Sequence, residues 1–327
     1  MANWLNFKYI RYLYLFVGIL VLSSSKPWGF YGHKKINRLA VFTLPPELFP
    51  LFKENLDYIS EHAVDPDKRR YMIPTEGPCH FIDLDYYQFP FDSIPHSWNK
   101  AVAKYSEDTL RKHGIVPWHI YLTKLNLQKA FEEKNIDKIL KYAADIGHYI
   151  GDAHVPLHTT RNYNGQFTNQ KGIHGLWESR LVELFSEEYN YFVGKSKYIT
   201  SIQDEIWKTL KESHFALDSV FNLESTITLE NKFQKYGFEQ RGNVTQRVYS
   251  REFSKEYHTR LNNMVERRLK ASIKMTGSIW YTAWVDAGQP DLTSLLSIKP
   301  SKEFLKELEV LEKTHSSHKH SGRDCDY

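Results

Sequence analysis

The sequence predicts an all-α protein built as a single mainly helical domain, and two observations predict it. Apolar residues recur at i, i+3 and i+4 through residues 36–41, 105–110, 118–131, 136–150, 176–185, 202–221 and 253–285, the period that lays one stripe of a helix against a core. No run alternates apolar and polar residues as a half-buried strand does. With 327 residues, 41% of them hydrophobic, the chain is long enough to bury a sizeable core. Neither an internal repeat nor a low-complexity linker divides it.

Taken in order, residues 1–25 contain no acid, carry Lys8 and Arg11 ahead of an apolar run at 13–22, and end in Ser23-Ser24-Ser25. That pattern reads as an export signal; an uncleaved anchor is the alternative once Tyr12 and Tyr14 are counted with the apolar run. The expected location is therefore periplasmic or extracellular, with membrane anchoring by residues 1–25 under the second option. The folded domain is expected over 26–313. Pro45-Pro46, the segment 162–172 and Gly288-Gln289-Pro290 read as loops or helix stops. A last helix is expected over 302–313, followed by a disordered polar tail at 314–327 that includes His315, His318 and His320. The aromatic residues, 21 Tyr, 19 Phe and 8 Trp, are assigned by default to core and groove lining.

Charge and cysteine usage narrow the function. Removing residues 1–25 lowers the formal charge from +4 to +2, which is not the basic footprint of a protein that holds nucleic acid through its phosphate backbone alone. The 2 cysteines, Cys79 and Cys325, do not suggest a structural disulfide, and Cys79 is expected to be a small buried residue. Nothing points to a protein partner, and a monomer is expected.

Chemistry concentrates in the middle of the chain. His148 and Asp152 are four apart, as are His174 and Glu178, and on a helix that spacing puts both side chains on one face. His158 follows Pro156-Leu157, four residues past His154. Imidazole and carboxylate donors in a compact shell suit zinc. Upstream stand Trp28-Gly29-Phe30-Tyr31-Gly32-His33, then Asp65, then His80-Phe81-Ile82-Asp83 fifteen residues after Asp65.

This ordered set, Trp-Gly-x-x-Gly-His, Asp, His-x-Ile-Asp, His-x-x-Gly-Asp-x-x-x-Pro-Leu-His and His-x-x-x-Glu, resembles the superfamily of S1/P1 nucleases and zinc-dependent phospholipases C, from Trp28 to Glu178. The resemblance implies a helical domain of the phospholipase C/P1 nuclease type with a zinc cluster in a cleft. Three zinc ions are implied: Asp65, His80, His148 and Asp152 around one; His158, His174 and Glu178 around a second; Trp28, His33 and Asp152 around a third, with Asp152 bridging and Asp65 and Asp152 as the catalytic carboxylates. Asp65 is preferred to Asp67 for its nuclease-like distance from His80. The implied activity is phosphoric-ester hydrolysis by a zinc-held hydroxide, with single-stranded nucleic acid as substrate, a phospholipid as the alternative, and a non-catalytic zinc-binding exported protein as the third possibility.

Substrate contacts are expected from Lys68, Arg69 or Arg70 on a phosphate, and from Phe81 and Asp83 on a base; Asp83 could instead orient His80, because metal-bound imidazoles need a partner on their other nitrogen. The sequence departs from the family at two places. Lys26-Pro27 precede Trp28, which in the family is the mature N-terminus and gives its amine to the third zinc, and the final ligand is Glu178 where nucleases use Asp, a phospholipase-like feature.

Overall fold

The strongest apolar stripe of the sequence becomes the axis of the fold. In the computed structural model, residues 29–70, 72–87, 89–241 and 244–317 are described; the expected export signal, Trp28, Cys325 and the tail from 318 lie outside them. In chain order the helices are α1 (Gly29–Val41), α2 (Phe49–Glu54), α3 (Leu56–Glu61), α4 (Asp65–Arg69), α5 (Trp98–Tyr105), α6 (Glu107–Lys112), α7 (Val116–Glu132) and α8 (Ile136–His154). After them come α9 (Leu181–Phe185), α10 (Ile202–Phe215), α11 (Leu217–Glu230), α12 (Arg251–Arg260), α13 (Met264–Asp286) and α14 (Lys302–Ser317). Among the described residues the fold is all-α apart from a single hairpin, and no helix is long and apolar enough to cross a membrane.

Helix α8 is packed by α1, α7, α10 and α13, and every residue from Ala143 to His154 is buried. Its start is fixed by Asn135, whose side chain accepts from the Lys138 N–H at 3.0 Å and so satisfies a donor the helix cannot. Its end is fixed by Pro156, which disfavours helical backbone at the residue before it; Val155 is extended, at φ −84° and ψ 119°.

Glycine lets α1 lie against α8. A Cβ at Gly147 would overlap the Asn37 carboxamide, and one at Gly151 would sit 2.8 Å from His33 Nδ1. Asn37 ties the layers together, donating to the Ile59 carbonyl at 3.1 Å and the Ala144 carbonyl at 2.9 Å. Helix propensity alone favours Gly147→Ala by roughly 1 kcal/mol. Overpacking against Asn37 reverses the sign, so a net loss of about 1–3 kcal/mol is expected, read as a lower denaturant midpoint; a stabilised variant would show that α1 can move away.

The structure redraws several expected elements. The 202–221 period breaks after Phe215, and the 253–285 period breaks where Asn262 (φ 48°) and Asn263 (φ 59°) take left-handed backbone, a conformation asparagine tolerates. Apolar spacing continues across both breaks because the helices on each side face the same core: Leu217, Val220, Phe253, Tyr257 and Val265 are all buried. Ser106, at φ 67°, likewise divides the helix expected at 105–110.

The hairpin β1 (Tyr236–Arg241) with β2 (Val244–Tyr249) is antiparallel, pairing Tyr236 with Tyr249 and Arg241 with Val244. It was not expected because alternation marks a strand with one buried face, and here the first four residues of β2 are exposed. Helix α14 runs four residues past its expected end and takes in the start of the supposed tail. Phe304 and Leu311 are buried, and the His315 ring lies 6.2 Å from Phe30.

Candidate metal centre

Each donor reaches the centre for a local reason. The 13-residue helix α1 brings in His33, which can pass α8 only because Gly151 has no side chain. On α8, His148 and Asp152 point the same way, one turn apart. The chain leaves α8 through a 3₁₀ turn, Pro156–Thr159, that carries His158, and a second 3₁₀ turn, Gly77–His80, carries His80. A π-helical turn, Gly175–Arg180, begins immediately after His174 and holds Glu178; such wide turns are rare and favour functional sites.

Among the described residues three groups of donors result: His33, His148 and Asp152; Asp67, His80 and His148; and His158, His174 and Glu178. His33 Nε2 lies 3.4 Å from Asp152 Oδ1 and His148 Nε2 lies 3.3 Å from Asp152 Oδ2. Asp67 Oδ1 is 3.7 Å from both His80 Nδ1 and His148 Nε2. Glu178 Oε2 is 3.4 Å from His158 Nε2 and 2.6 Å from His174 Nε2. A tetrahedral zinc shell with bonds near 2.0–2.1 Å separates its donors by about 3.3 Å, so the groups are of the right size for such an ion. Asp152 stands between them, also 3.0 Å from His80 Nδ1 and 4.0 Å from His158 Nε2.

The imidazoles are aimed by their second nitrogens. The Nδ1 atoms of His148, His158 and His174 lie 2.9, 2.6 and 3.1 Å from the carbonyls of Ala63, His80 and Tyr163; donating a proton there turns each Nε2 toward the cluster as the nitrogen that a metal would take, the usual arrangement at metal sites.

Buried carboxylates and imidazoles set one another's charge. Burial works against a proton on His148, yet the Asp152 and Asp67 carboxylates more than offset it and raise its pKa to about 9. His158 is raised to about 9 in the same way, against burial, by Asp152 and Glu178. Burial would push Asp152 and Glu178 up, but the surrounding histidines hold both well below the ordinary carboxylate range. Burial prevails at His80, which is lowered despite Asp152. The metal-free centre is thus a set of ion pairs whose protons a cation can replace.

Residues 28–276 match the S1/P1 nuclease family. The chain belongs to that family. No curated protein matches it. The family is one of phosphoric-ester hydrolases of nuclease type, and the matched span begins at Trp28, which lies outside the described residues.

Within this S1/P1-family chain the structure places several of the expected site residues away from the donor cluster. Asp65 is not in the cluster: its carboxylate pairs with His62 Nδ1 at 2.7 Å and Lys68 Nζ at 3.2 Å. Residues two apart on a helix face nearly opposite ways, so turning Asp65 outward turns Asp67 inward. Lys68 shares the outward face and reaches Glu312 of α14 at 2.7 Å. Arg69 is committed to Asp145 at 3.0 Å and Glu76 at 3.3 Å, which leaves Arg70, 3.6 Å from Asp67, as the cation of the three on the cluster side. Asp83 is buried and faces His113 Nδ1 at 3.2 Å rather than orienting His80. Tyr86 stacks on His113 with ring centroids 3.5 Å apart. Phe81 is half-buried and packs on Gly114, where a Cβ would meet its ring at 2.5 Å.

Proposed function

We propose that this chain is an exported zinc-dependent phosphodiesterase of nuclease type that hydrolyses single-stranded nucleic acid. The observation that carries the proposal is the meeting of His33, Asp67, His80, His148, Asp152, His158, His174 and Glu178 in one buried cluster of donor groups within a chain of the S1/P1 nuclease family.

Asp67, His80 and His148 with Asp152 would hold one zinc, and His158, His174 and Glu178 a second. His33 and Asp152 would hold a third together with Trp28, if Trp28 is exposed as a free N-terminus. Zinc bound there supplies concentrated positive charge that acidifies a water and polarises phosphoryl oxygens. Asp152, lying between the groups, would contribute to more than one of these positions. Arg70 brings a cation beside Asp67 that suits a phosphate oxygen. Phe81 supplies an aromatic surface for an unstacked base, which a single strand can present and a duplex cannot. The basic and apolar pattern of residues 1–25 supports export.

A phospholipase C remains the second reading. It is favoured by Glu178 in the final donor position and by Phe89 and Phe167, 73% and 71% exposed on the loops that follow His80 and His158, since exposed apolar side chains suit a lipid surface. The deciding experiment is hydrolysis by the zinc-loaded protein of single-stranded DNA and RNA beside phosphatidylcholine vesicles, each with and without chelator. Chelator-sensitive cleavage of nucleic acid alone is expected. Cleavage of lipid alone would replace the nuclease with the phospholipase, and inactivity on both would leave a zinc-binding protein without catalysis.

A further inference from the structure

We propose that Glu76 is a positioning residue for the metal centre: it accepts the Nε2–H of His80 and so fixes the tautomer whose Nδ1 lone pair faces the cluster. The proposal rests on the metal-centre reading above.

A neutral imidazole carries one proton, and the nitrogen that binds a metal must be bare. His148, His158 and His174 solve this by handing Nδ1–H to a backbone carbonyl and turning Nε2 inward. His80 is turned the other way round. Its Nδ1 lies 3.0 Å from Asp152 Oδ2 and 3.0 Å from His148 Nε2, on the cluster side, so with a metal bound there its proton must sit on Nε2. No carbonyl receives it there: Nε2 is buried without a hydrogen-bond partner. The carboxylate facing it is Glu76, with Oε1 at 3.8 Å, and closing that gap to a hydrogen bond takes less than about 1 Å.

Glu76 is held for this task. It is 8% exposed, faces the Arg69 guanidinium at 3.3 Å and accepts the Tyr149 hydroxyl. The spacing is local as well: Glu76 and His80 are four apart across the 3₁₀ turn, and Pro78 within it limits how the turn can rearrange.

Three measurements test this. In ¹⁵N-labelled, zinc-loaded protein, His80 is expected to show a protonated Nε2 and a metal-bound Nδ1. Glu76→Gln, which keeps the size but weakens the acceptor, is expected to lower zinc affinity at the His80 position by about 10–100-fold, the usual cost of losing such a partner, while the His158–His174–Glu178 position keeps wild-type affinity. Tyr149→Phe, which removes one of the groups holding Glu76 but keeps its carboxylate facing His80, is expected to lose less zinc affinity at that position than Glu76→Gln. A proton on Nδ1, unchanged affinity in Glu76→Gln, or equal losses in Glu76→Gln and Tyr149→Phe that track the unfolding of the metal-free proteins, would overturn the positioning role. Wild-type protein that takes up no zinc would instead overturn the metal-centre reading, a result distinguishable from any of these.

Discussion

Asp67→Ala is expected to remove one metal position and to lower hydrolysis by more than about 100-fold, since even the partners of metal ligands are worth 10–100-fold, whereas Asp65→Ala is expected to keep both metal content and turnover near wild type. The contrast follows from helix geometry. Asp67 Oδ1 is equidistant, at 3.7 Å, from His80 Nδ1 and His148 Nε2, while Asp65 spends its oxygens on His62 and Lys68. Losing Asp65 leaves His62 without its acceptor, while Lys68 keeps Glu312, and costs folding stability, roughly 1–3 kcal/mol. Zinc stoichiometry, turnover and denaturant midpoints on the two variants separate the effects. Equal losses of zinc, or the larger loss in Asp65→Ala, would return Asp65 to the centre.

The second large effect is a pH-dependent metal affinity. In the metal-free centre His148 and His158 titrate at about 9, so both are protonated at neutral pH, and zinc needs both as free bases. Below that value each position must expel one proton per ion, which makes affinity rise about tenfold per pH unit from pH 6 toward 9 and level off above it. Competition with a chromophoric chelator across that range gives the slope, and calorimetry in buffers of different ionisation enthalpy counts the protons released. A flat profile would mean that the imidazoles are already neutral in the metal-free protein and that the carboxylates do not hold their protons.

What the sequence made legible was whatever has a fixed spacing. The i, i+4 pairs His148 with Asp152 and His174 with Glu178 required only a helical turn to become donors, and the period across α7 and α8 was strong enough to locate the core. Asp65 and Asp67 exposed the limit of that approach. Both stand on one short helix after the same turn, and counting residues to His80 cannot tell which face is turned inward, a matter settled by α14 pairing with Lys68 from the opposite side. Asp83 and Glu76 show the same limit: each is an acid near His80 in sequence, but the backbone at Phe81 is extended, φ −149° and ψ 172°, and carries Asp83 off to His113. The hairpin escaped for another reason. Its strands lie largely outside the core, and no amphipathic period records a surface that is exposed on both sides.

The π-helical turn at Gly175–Arg180 makes this stretch more sensitive to length than to identity. Many side chains could replace Ser179 without disturbing Glu178, but deleting one residue would return the stretch to ordinary α-helical winding and rotate whatever follows by about 100°. Arg180, which meets Glu239 of the hairpin at 2.9 Å, would then face elsewhere, and the hairpin would lose its tether beside Glu178. Insertions and deletions, usually harmless in surface loops, are therefore expected to disrupt these six residues, as they would the preceding segment, whose Tyr163 carbonyl aims His174.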